Sequence, residues 1–297
     1  MSKRKSGLDV NGILLLDKRI GVSSNKALQE VRRLFNANKA GHTGSLDPLA
    51  TGLLPLCFGK ATKVSDLLLD HDKRYLVTAK LGVVTDTGDA EGVVLTIKPV
   101  PELTLSQLSA CLLDFTGVLN QVPPMYSALK HQGKKLYELA REGKTVERQA
   151  RTISIYELKL LGFEQNHLHL EVFCSKGTYI RSLVEDIGQA LGCGATVTAL
   201  RRMQVGQFDL KQAWQFESLS LLSKEALMQC LLPIDLPLHF MPAVNLSQQQ
   251  ADCVRQGQQI AVEGYALGMA RVYAGESFLG LGEILLDGKL APRKLMC

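Results

Sequence analysis

Residues 41–52 place three glycines and a proline around a single acidic residue, Asp47. Glycine tolerates backbone angles that other residues resist, and proline biases the residue before it towards an extended or turn conformation. The segment is therefore predicted to be a stiff loop whose backbone other molecules can approach closely. A carboxylate on such a loop is well placed to meet a substrate. An Asp-Pro pair in a glycine-rich segment is also typical of an ordinary turn, so the local pattern leaves both interpretations open.

The length and charge of the chain limit its class. A chain of 297 residues is long enough for about two domains and a substantial hydrophobic core. The net charge of +5 is compatible with a polyanionic partner but does not identify one. Residues 130–151 contain seven Lys or Arg and three Glu, which predicts either a phosphate-binding face or an ordinary solvated helix face.

The cysteines and the apolar runs exclude several classes of protein. The seven cysteines are an odd number and form no Cys-x-x-Cys pair, which is typical of reduced thiols without structural zinc or disulfides. The apolar run at residues 13–16 is too short for a signal peptide, and no stretch approaches the ~18 apolar residues of a membrane span. We therefore expect a cytoplasmic protein that does not contact the membrane.

Hydrophobic periodicity predicts the elements around the loop. Residues 12–16 are uniformly apolar and predict a buried strand. Ser23 or Ser24 can cap a helix that leads into the loop, and residues 61–69 predict a short helix after it. Period-two alternation then predicts a strand with Tyr75 close to its start, although a tyrosine in such a position more commonly packs in a core.

The middle of the chain predicts a hairpin and two helices. Residues 85–92 form a polar turn into the next strand, and they lack the ligand pattern of a calcium loop. Thr104 and Gln107 have the spacing of a capping box, and a further helix at residues 136–141 can end at Gly143. The predicted apolar side of the capped helix consists of Leu105, Leu108, Leu112 and Leu113.

Arg181 has an unusual predicted position. Residues 153–160 and residues 168–174 predict two strands, and the apolar spacing of residues 183–191 predicts a helix that begins just before them. In the first turn of a helix, the dipole disfavours a cation unless an anion faces it. His167 and His169 are two residues apart on one strand, but without a third ligand nearby we expect no metal site.

The C-terminal part differs in pattern from the rest. Pro233, Pro237 and Pro242 interrupt the chain, which predicts a domain boundary close to residue 240. From Val244 onwards, short apolar segments alternate with glycines. This pattern predicts a small β-barrel.

Residues 41–55 and 59–63 together closely resemble the signature of the TruB family of tRNA pseudouridine synthases. Ser45 stands where the family more usually has Thr but keeps the hydroxyl, and Arg19 and Met203 stand where it more usually has Pro and Thr. The likeness covers nearly the whole chain after its first ten residues. Other stretches that resemble family motifs are residues 73–75, 123–141, 176–181, 200–202 and 280–293.

The resemblance implies an α+β fold: a mainly antiparallel mixed sheet flanked by helices, the pseudouridine synthase fold, with a small C-terminal PUA-like β-barrel. We accordingly expect a flexible tail at residues 1–10, a catalytic domain at residues 11–240 and a PUA-like RNA-binding domain at residues 241–297. It also implies that the substrate is the T stem-loop of tRNA. We expect a monomer that needs neither a cofactor nor a metal.

The resemblance also implies the residues of the active site. Asp47 would be the catalytic residue and Arg181 its partner, while Tyr75 would stack on the target base. His42 would occupy the space that the base vacates, and Leu200 would abut the base. The residues expected to bind the substrate are His42, Tyr75, Tyr179, Arg181 and Leu200.

The implied reaction is the conversion of uridine 55 to pseudouridine after the nucleotide has been flipped out of the RNA. A nearby arginine would keep Asp47 ionised by lowering its pKa. Asp47 would attack C6 of the uracil, attack C1′ of the ribose or remove the C2′ proton, and the sequence leaves these routes open. An RNA-binding factor that folds tRNA is an alternative function. A phosphate-transfer enzyme is disfavoured, because residues 52–60 lack the P-loop spacing.

Overall fold

A computed structural model describes residues 7–296 of the chain. Residues 1–6, which are most of the expected tail, and Cys297 lie outside the described residues. Leu8 exchanges backbone hydrogen bonds with Asn36 and Asn38, and Val10 is buried. Residues 8 and 10 therefore belong to the folded body, although we expected a flexible tail up to residue 10.

The helices and strands follow one another in a mixed α and β order. The first elements are β1 (Gly12–Lys18), α1 (Ser24–Leu34), β2 (Ala40–His42), β3 (Thr51–Phe58), α2 (Ser65–Leu69), β4 (Lys73–Leu81), β5 (Val83–Thr85), β6 (Val94–Ile97), α3 (Leu105–Leu113) and β7 (Gly117–Gln121). The next are β8 (Lys130–His131), β9 (Lys134–Lys135), α4 (Leu136–Arg141), β10 (Arg151–Glu164), β11 (His167–Cys174), α5 (Ile180–Ala190), β12 (Ala195–Val205), β13 (Phe208–Asp209), β14 (Trp214–Gln215), α6 (Phe216–Ser220) and α7 (Lys224–Gln229). The last are β15 (Ala243–Leu246), α8 (Gln248–Arg255), β16 (Ile260–Ala261), β17 (Gly268–Ala274), β18 (Ser277–Ile284) and β19 (Lys289–Leu295).

The large sheet has ten strands in the order β14-β1-β3-β12-β4-β11-β10-β7, with β13 beside β12 and β2 beside β3. Among the pairs of this sheet that residues 7–296 form, only β1–β14 and β3–β12 are parallel. The sheet is therefore mixed but mainly antiparallel, which confirms the fold class expected from the sequence.

One face of this sheet carries the main hydrophobic core. On β4, Tyr75, Val77 and Ala79 are buried together, because alternate residues of a strand point to the same face. Helices α1, α3 and α5 pack on this face through their apolar residues. Leu200 and Arg202 of β12 pair with Val77 and Tyr75, so their side chains lie on this inner face as well.

Strand β3 was not anticipated from the sequence. Proline lacks an N–H group, so Pro55 argues against a central strand. In the structure Pro55 pairs with Leu15 of β1, and its carbonyl oxygen accepts a hydrogen bond from the Thr43 N–H at 3.1 Å. Every residue from 52 to 58 is buried, so β3 is continuously apolar and shows no alternation.

Two helix predictions need correction. Residues 61–69 do not form one helix, because a 3₁₀ helix (Gly59–Lys63) ends before α2 begins. The capping box that begins at Thr104 is present on α3, as predicted. Leu108 and Leu112 are buried, whereas the outer two leucines of the predicted apolar side are exposed, so that side is narrower than expected.

The C-terminal residues form a second sheet of five strands in the order β15-β17-β18-β19-β16. This sheet curls into a half-barrel around its own apolar cluster, in agreement with the small β unit that the sequence predicts. Val64 and Leu238 pack against Leu281 and Met296, so the curled sheet contacts the main body of the protein.

Gly52 is a point at which the fold tolerates no side chain. It has a φ of +100°, and it pairs with Arg202 where β3 meets β12. A Cβ atom there would overlap the backbone N and O atoms of Arg202. We expect Gly52→Ala to lower the free energy of unfolding by about 2–5 kcal/mol, measured by urea denaturation. Gly264 has a φ of +80° with nothing within 4 Å of an added Cβ, so Gly264→Ala should lose only about 1–2 kcal/mol. Equal losses would contradict a steric role for Gly52.

Candidate active site

Asp47 lies in the loop between β2 and β3, and the start of α1 holds this loop in place. Ser23 caps α1, which leaves the neighbouring Ser24 free to bind elsewhere. The Ser24 hydroxyl accepts a hydrogen bond from the Leu46 N–H at 2.7 Å and donates one to the Leu46 carbonyl oxygen at 2.9 Å. The residue before Asp47 is therefore fixed through both of its backbone polar groups.

Pro48, the residue after Asp47, is fixed by contacts with Lys18 and Gly21. The Pro48 carbonyl oxygen accepts a hydrogen bond from the Gly21 N–H at 2.8 Å and lies 3.4 Å from the Lys18 ammonium. Lys18 is buried and also donates to the Val22 carbonyl oxygen at 2.6 Å. Burial lowers the pKa of Lys18 to about 8. Sequence reasoning treated Lys18 only as the end of a strand, so this anchor was missed.

Arg181 lies in the first turn of α5, and all three nitrogen atoms of its guanidinium group contact a polar partner. Its Nε lies 3.0 Å from Oδ2 of Asp47, its Nη1 donates to the Thr87 carbonyl oxygen at 2.7 Å, and its Nη2 donates to the Tyr126 carbonyl oxygen at 2.7 Å. The Arg181 side chain is only 6% exposed. The predicted contact with Asp47 is thus present, and the carboxylate supplies the anion that the helix dipole requires at this position.

Asp89 is a second carboxylate at the same guanidinium, and sequence reasoning missed it. Its Oδ2 lies 3.4 Å from Nη1 of Arg181, while its Oδ1 accepts hydrogen bonds from the Thr87 hydroxyl at 2.7 Å and the Glu91 N–H at 3.1 Å. We expected residues 85–92 to be an ordinary turn. A β-bridge between Asp89 and Val197 of β12 brings the turn to the site, and local sequence carries no signal of that long-range contact.

The ionisation of Asp47 is governed by opposing effects. Burial raises its pKa above the ordinary aspartate value, while the charge of Arg181 lowers it and the charge of Asp89 raises it. Burial is the largest of these effects, so the net direction is upward, which corrects our expectation that the arginine would leave the pKa lowered. The side chain keeps 40% of its surface exposed, so a substrate can reach the carboxylate.

Three side chains of the inner sheet face form the floor beneath the loop. Tyr75 is 7% exposed and Leu200 is 9% exposed. Arg202 is buried beside them, and its Nε donates to the Leu53 carbonyl oxygen at 2.7 Å. A Cβ atom added to Gly44 would lie 3.6 Å from Nη1 of Arg202, so the loop backbone rests close to this guanidinium. Strand alternation from Leu200 was the signal that could have placed Arg202 here.

His42 and Tyr179 complete the set of residues expected from the sequence. His42 is the last residue of β2, directly before the loop, and burial lowers the pKa of its imidazole. Its Nδ1 is buried and has no hydrogen-bond partner among residues 7–296. Tyr179 precedes α5, where its backbone N–H and carbonyl oxygen both bond to the side-chain amide of Gln121, at 2.8 and 3.0 Å. Burial raises the pKa of Tyr179.

A metal site was considered in the sequence because of His167 and His169. The His169 ring lies 3.2 Å from the Thr78 hydroxyl, and the His167 ring lies 3.0 Å from the Gln165 carbonyl oxygen. Within residues 7–296, no three or more His, Cys, Asp or Glu side chains are grouped so as to hold a metal ion. In the same part of the chain, no helix is long and apolar enough to cross a membrane.

The assembled site is a carboxylate with one open side, fixed by its neighbours and paired with a guanidinium. Tyr75 and Leu200 belong to the same apolar cluster as Leu46 and Leu49, which flank Asp47 in the loop, and they form a partly apolar floor. Such a carboxylate can act as a nucleophile or as a base, and the floor suits a flat, partly apolar group such as a nucleobase.

Three family models match consecutive parts of the chain. Residues 32–180 match the TruB family pseudouridylate synthase (N terminal domain), and residues 181–239 match the tRNA pseudouridylate synthase B C-terminal domain. Residues 242–296 match the model described as Pseudouridine synthase II TruB, C-terminal. Together these models span most of the described residues.

Relatives are similar over almost the whole chain. The tRNA pseudouridine synthase B of Nitrosococcus oceani is 53% identical, with 99% of this chain and 97% of that protein covered. The protein of the same name from Chromohalobacter salexigens is 51% identical, with 100% and 97% covered.

Solved structures share the fold. A chain of a Cbf5-Nop10-Gar1 complex superposes with a TM-score of 0.75 at 23% identity, covering 100% of this chain and 91% of that one. A chain of an archaeal box H/ACA Nop10-Cbf5 complex superposes with a TM-score of 0.73 at 21% identity, covering 100% and 93%. With its family models, its close relatives and its fold in agreement, this chain belongs to the TruB family of pseudouridylate synthases.

Proposed function

We propose that this protein isomerises uridine to pseudouridine at position 55 in the T loop of tRNA, with Asp47 as the catalytic residue. The observation that carries the proposal is the 3.0 Å ion pair between Asp47 and Arg181 on a loop fixed at both neighbouring residues. The names of the relatives support the reaction and the class of RNA. The T-loop position rests on the resemblance of the active-site motifs.

The reaction breaks the bond between C1′ of the ribose and N1 of the uracil and forms a bond between C1′ and C5. The hydrogen on C5 leaves as a proton and N1 gains one, so the isomerisation is redox-neutral and needs no oxidant or reductant. The protein must supply a group that promotes cleavage and hold the detached base while it turns. A carboxylate beside the ribose and the base meets the first requirement.

Asp47 serves this step as an anion. It attacks C6 of the uracil, attacks C1′, or removes the C2′ proton once the glycosidic bond has opened. In each case Arg181 lies 3.0 Å from one carboxylate oxygen, Oδ2, and its charge opposes the rise in pKa that burial causes. Asp89 and the carbonyl oxygens of Thr87 and Tyr126 fix the guanidinium in turn.

The target base must leave the RNA stack before it reaches Asp47. Tyr75 then offers an aromatic platform, and stacking on such a platform contributes ~1 to 3 kcal/mol per base. Leu200 provides apolar contact next to Tyr75, and His42 occupies the space that the base vacates. Tyr179 borders the site before Arg181. These roles are proposals that rest on the resemblance of the motifs, and the positions of the side chains around the loop support them.

RNA recognition is assigned to two parts of the chain. Residues 130–151 present basic side chains, and several of them are exposed. Glu142 pairs with Lys134 and Lys144, which neutralises only part of the positive charge of this segment. Residues 241–297 form the proposed PUA-like RNA-binding domain, and residues 11–240 the catalytic domain. We further propose that the protein acts as a monomer in the cytoplasm, which sedimentation of the protein and cell fractionation would test.

The decisive experiment maps pseudouridine, position by position, in an unmodified tRNA transcript incubated with the purified protein. We expect modification at position 55 alone. A transcript with cytidine at position 55 is the control and should remain unmodified throughout. Modification confined to another position would refute the T-loop assignment, and the absence of any product would refute the reaction.

Asp47→Asn keeps the shape of the side chain and removes its charge. We expect the single-turnover rate to fall at least ~10³-fold, because the reacting carboxylate is lost, while the affinity for tRNA stays close to that of the wild type. The same variant separates the alternative function, since a factor that mainly folds tRNA would keep that activity. A near-normal rate would show that Asp47 is not the catalytic residue.

Asp89→Asn tests the second carboxylate. The substitution weakens the contact that helps to orient the Arg181 guanidinium towards Asp47. We therefore expect the single-turnover rate to fall on the order of 10- to 100-fold. Asp86 belongs to the same turn, where its Oδ1 accepts a hydrogen bond from the Val93 N–H at 2.7 Å. Asp86→Asn is therefore the matched control and should change the rate much less. Equal effects of the two substitutions would point to the turn as a whole.

The rate should depend on pH through Asp47. The carboxylate is present above its pKa, which burial raises, so the single-turnover rate should be constant at high pH and fall as the pH drops through that pKa. Arg181→Met removes the charge that opposes burial, so the midpoint should move to higher pH. Arg74 pairs with Glu157 and Glu171 away from the site, and Arg74→Met should leave the midpoint unchanged. A midpoint that does not respond to Arg181→Met would assign the ionisation to another group.

A further inference from the structure

Gln121 is a buried polar side chain close to the start of α5. It is the last residue of β7, which lies at the edge of the large sheet, and it is 4% exposed. A buried side-chain amide needs hydrogen-bond partners for both its oxygen and its NH₂ group. Gln121 finds both partners in one residue, Tyr179, which lies 58 positions further along the chain.

Two hydrogen bonds from this amide fix the backbone of Tyr179. The Tyr179 N–H donates to Oε1 of Gln121 at 2.8 Å, and Nε2 of Gln121 donates to the Tyr179 carbonyl oxygen at 3.0 Å. Tyr179 has an extended backbone, with a φ of −98° and a ψ of 109°. The amide therefore pairs with Tyr179 as a residue of a neighbouring strand would, and the two bonds fix both its position and its rotation.

Tyr179 is the residue from which α5 starts. Its carbonyl oxygen also accepts the first helical hydrogen bond, from the Leu183 N–H at 3.1 Å. Within residues 7–296, the Tyr179 side chain makes no capping hydrogen bond. The start of α5 is thus attached to the edge of the sheet through Gln121. A shift of Tyr179 would be passed on to Arg181, which lies in the first turn of the same helix.

The segment that begins with Gln121 contacts the start of α5 a second time. Further along this segment, the Tyr126 carbonyl oxygen accepts a hydrogen bond from Nη2 of Arg181 at 2.7 Å. Gln121 therefore holds the backbone at the start of the helix, while Tyr126 holds the guanidinium. Nε of the same guanidinium lies 3.0 Å from Asp47, so the orientation of the ion pair depends on both contacts.

We propose that Gln121 is a positioning residue that places the start of α5 so that Arg181 meets Asp47. The inference rests on the proposed function and deepens it. The amide of Gln121 is buried and bonds to the backbone of Tyr179, so it acts on the reaction through Arg181 and does not contact the substrate. A displacement of ~1 Å in a catalytic arrangement can cost on the order of 100-fold in rate.

The test compares Gln121→Met with wild-type protein in single-turnover assays on the same tRNA transcript, at saturating protein and well below the melting temperature. Methionine has a similar length, but it cannot replace the two hydrogen bonds. We expect the rate to fall on the order of 10- to 100-fold and the Kd for tRNA to stay unchanged. A rate that returns to the wild-type value at saturating protein would overturn the proposal.

The pH profile provides a measurement that a purely structural role would not change. If Arg181 moves away from Asp47, its charge opposes the effect of burial less, and the midpoint should move to higher pH, as in Arg181→Met. Glutamine and methionine are both neutral, and Asp89 and Lys18, whose charges also act on Asp47, stay in place. A lower rate with an unchanged midpoint would overturn the proposal.

A double substitution shows whether Gln121 acts through Arg181. In an Arg181→Met background, Gln121→Met should cost less than about threefold in rate, because the side chain through which it acts is already absent. A full loss in that background would assign the effect to another group, such as the Tyr179 side chain, and would overturn the proposal.

Gln204→Met is the matched control. Nε2 of Gln204, close to the C-terminal end of β12, donates to the Gly206 carbonyl oxygen at 2.8 Å. The substitution thus removes a glutamine-to-backbone hydrogen bond away from α5, and it should change the rate less than about threefold. A loss equal to that of Gln121→Met would show that the effect is not specific to α5, which would overturn the proposal.

Stability is measured for the same variants. Gln121→Met leaves the Tyr179 N–H without its partner, so we expect the melting temperature to fall by up to about 10 °C. Gln121→Asn keeps an amide that is too short to reach both backbone groups, and it should fold and show the same loss of rate. A wild-type rate in the folded Gln121→Asn variant would overturn the proposal. If neither variant folds, Gln121 has a structural role and the proposal fails.

The assay separates this inference from the proposed function on which it rests. Wild-type protein that forms no pseudouridine would refute the proposed function. Active wild-type protein with an unimpaired Gln121→Met variant would refute only the role of Gln121.

Discussion

The arrangement of the active site depends on the desolvation of the Arg181 guanidinium. Removing a charge from water costs several kcal/mol even after the protein relaxes, and only well-placed partners offset that cost. Arg181 finds them in Asp47, Asp89 and the carbonyl oxygens of Thr87 and Tyr126. These partners belong to three segments far apart in sequence. Because no segment alone can satisfy the guanidinium, each holds the others in position around it.

The topology of the sheet explains why these segments meet. Strand β12 lies between β3 and β4, and helix α5 packs against β12 immediately before it in sequence. The Asp47 loop leads into β3, so it ends beside β12 at the pairing of Gly52 with Arg202. The turn that carries Asp89 forms a β-bridge with Val197, which lies near the N-terminal end of β12. One central strand therefore aligns the acid, its arginine and the floor residues.

Much of the fold and the main ion pair could be anticipated from sequence. Periodicity placed β1, β4 and α5, a capping box placed the start of α3, and the motifs paired Asp47 with Arg181. The elements that were missed depend on tertiary context. Pro55 of β3 pairs with Leu15 and accepts a hydrogen bond from Thr43, contacts that local sequence does not show. The outer leucines of α3 are exposed, although helical periodicity places them on its apolar side. Asp89 looks like any turn aspartate until the bridge to β12 is known.

The buried cations Arg181 and Lys18 oppose the protonation that burial of Asp47 favours. Lys18, Arg181 and Arg202 are all buried around the loop, while Asp47 and Asp89 are the carboxylates at the Arg181 guanidinium. Within residues 7–296, Lys18 bonds to backbone carbonyl oxygens and forms no ion pair with a carboxylate, and its charge lowers the pKa of Asp47. An apolar core in the same place would be more stable. The charges of Arg181 and Lys18 thus oppose the protonation of Asp47 in the protein alone, so this part of the electrostatic environment of the carboxylate is already in place before a substrate binds.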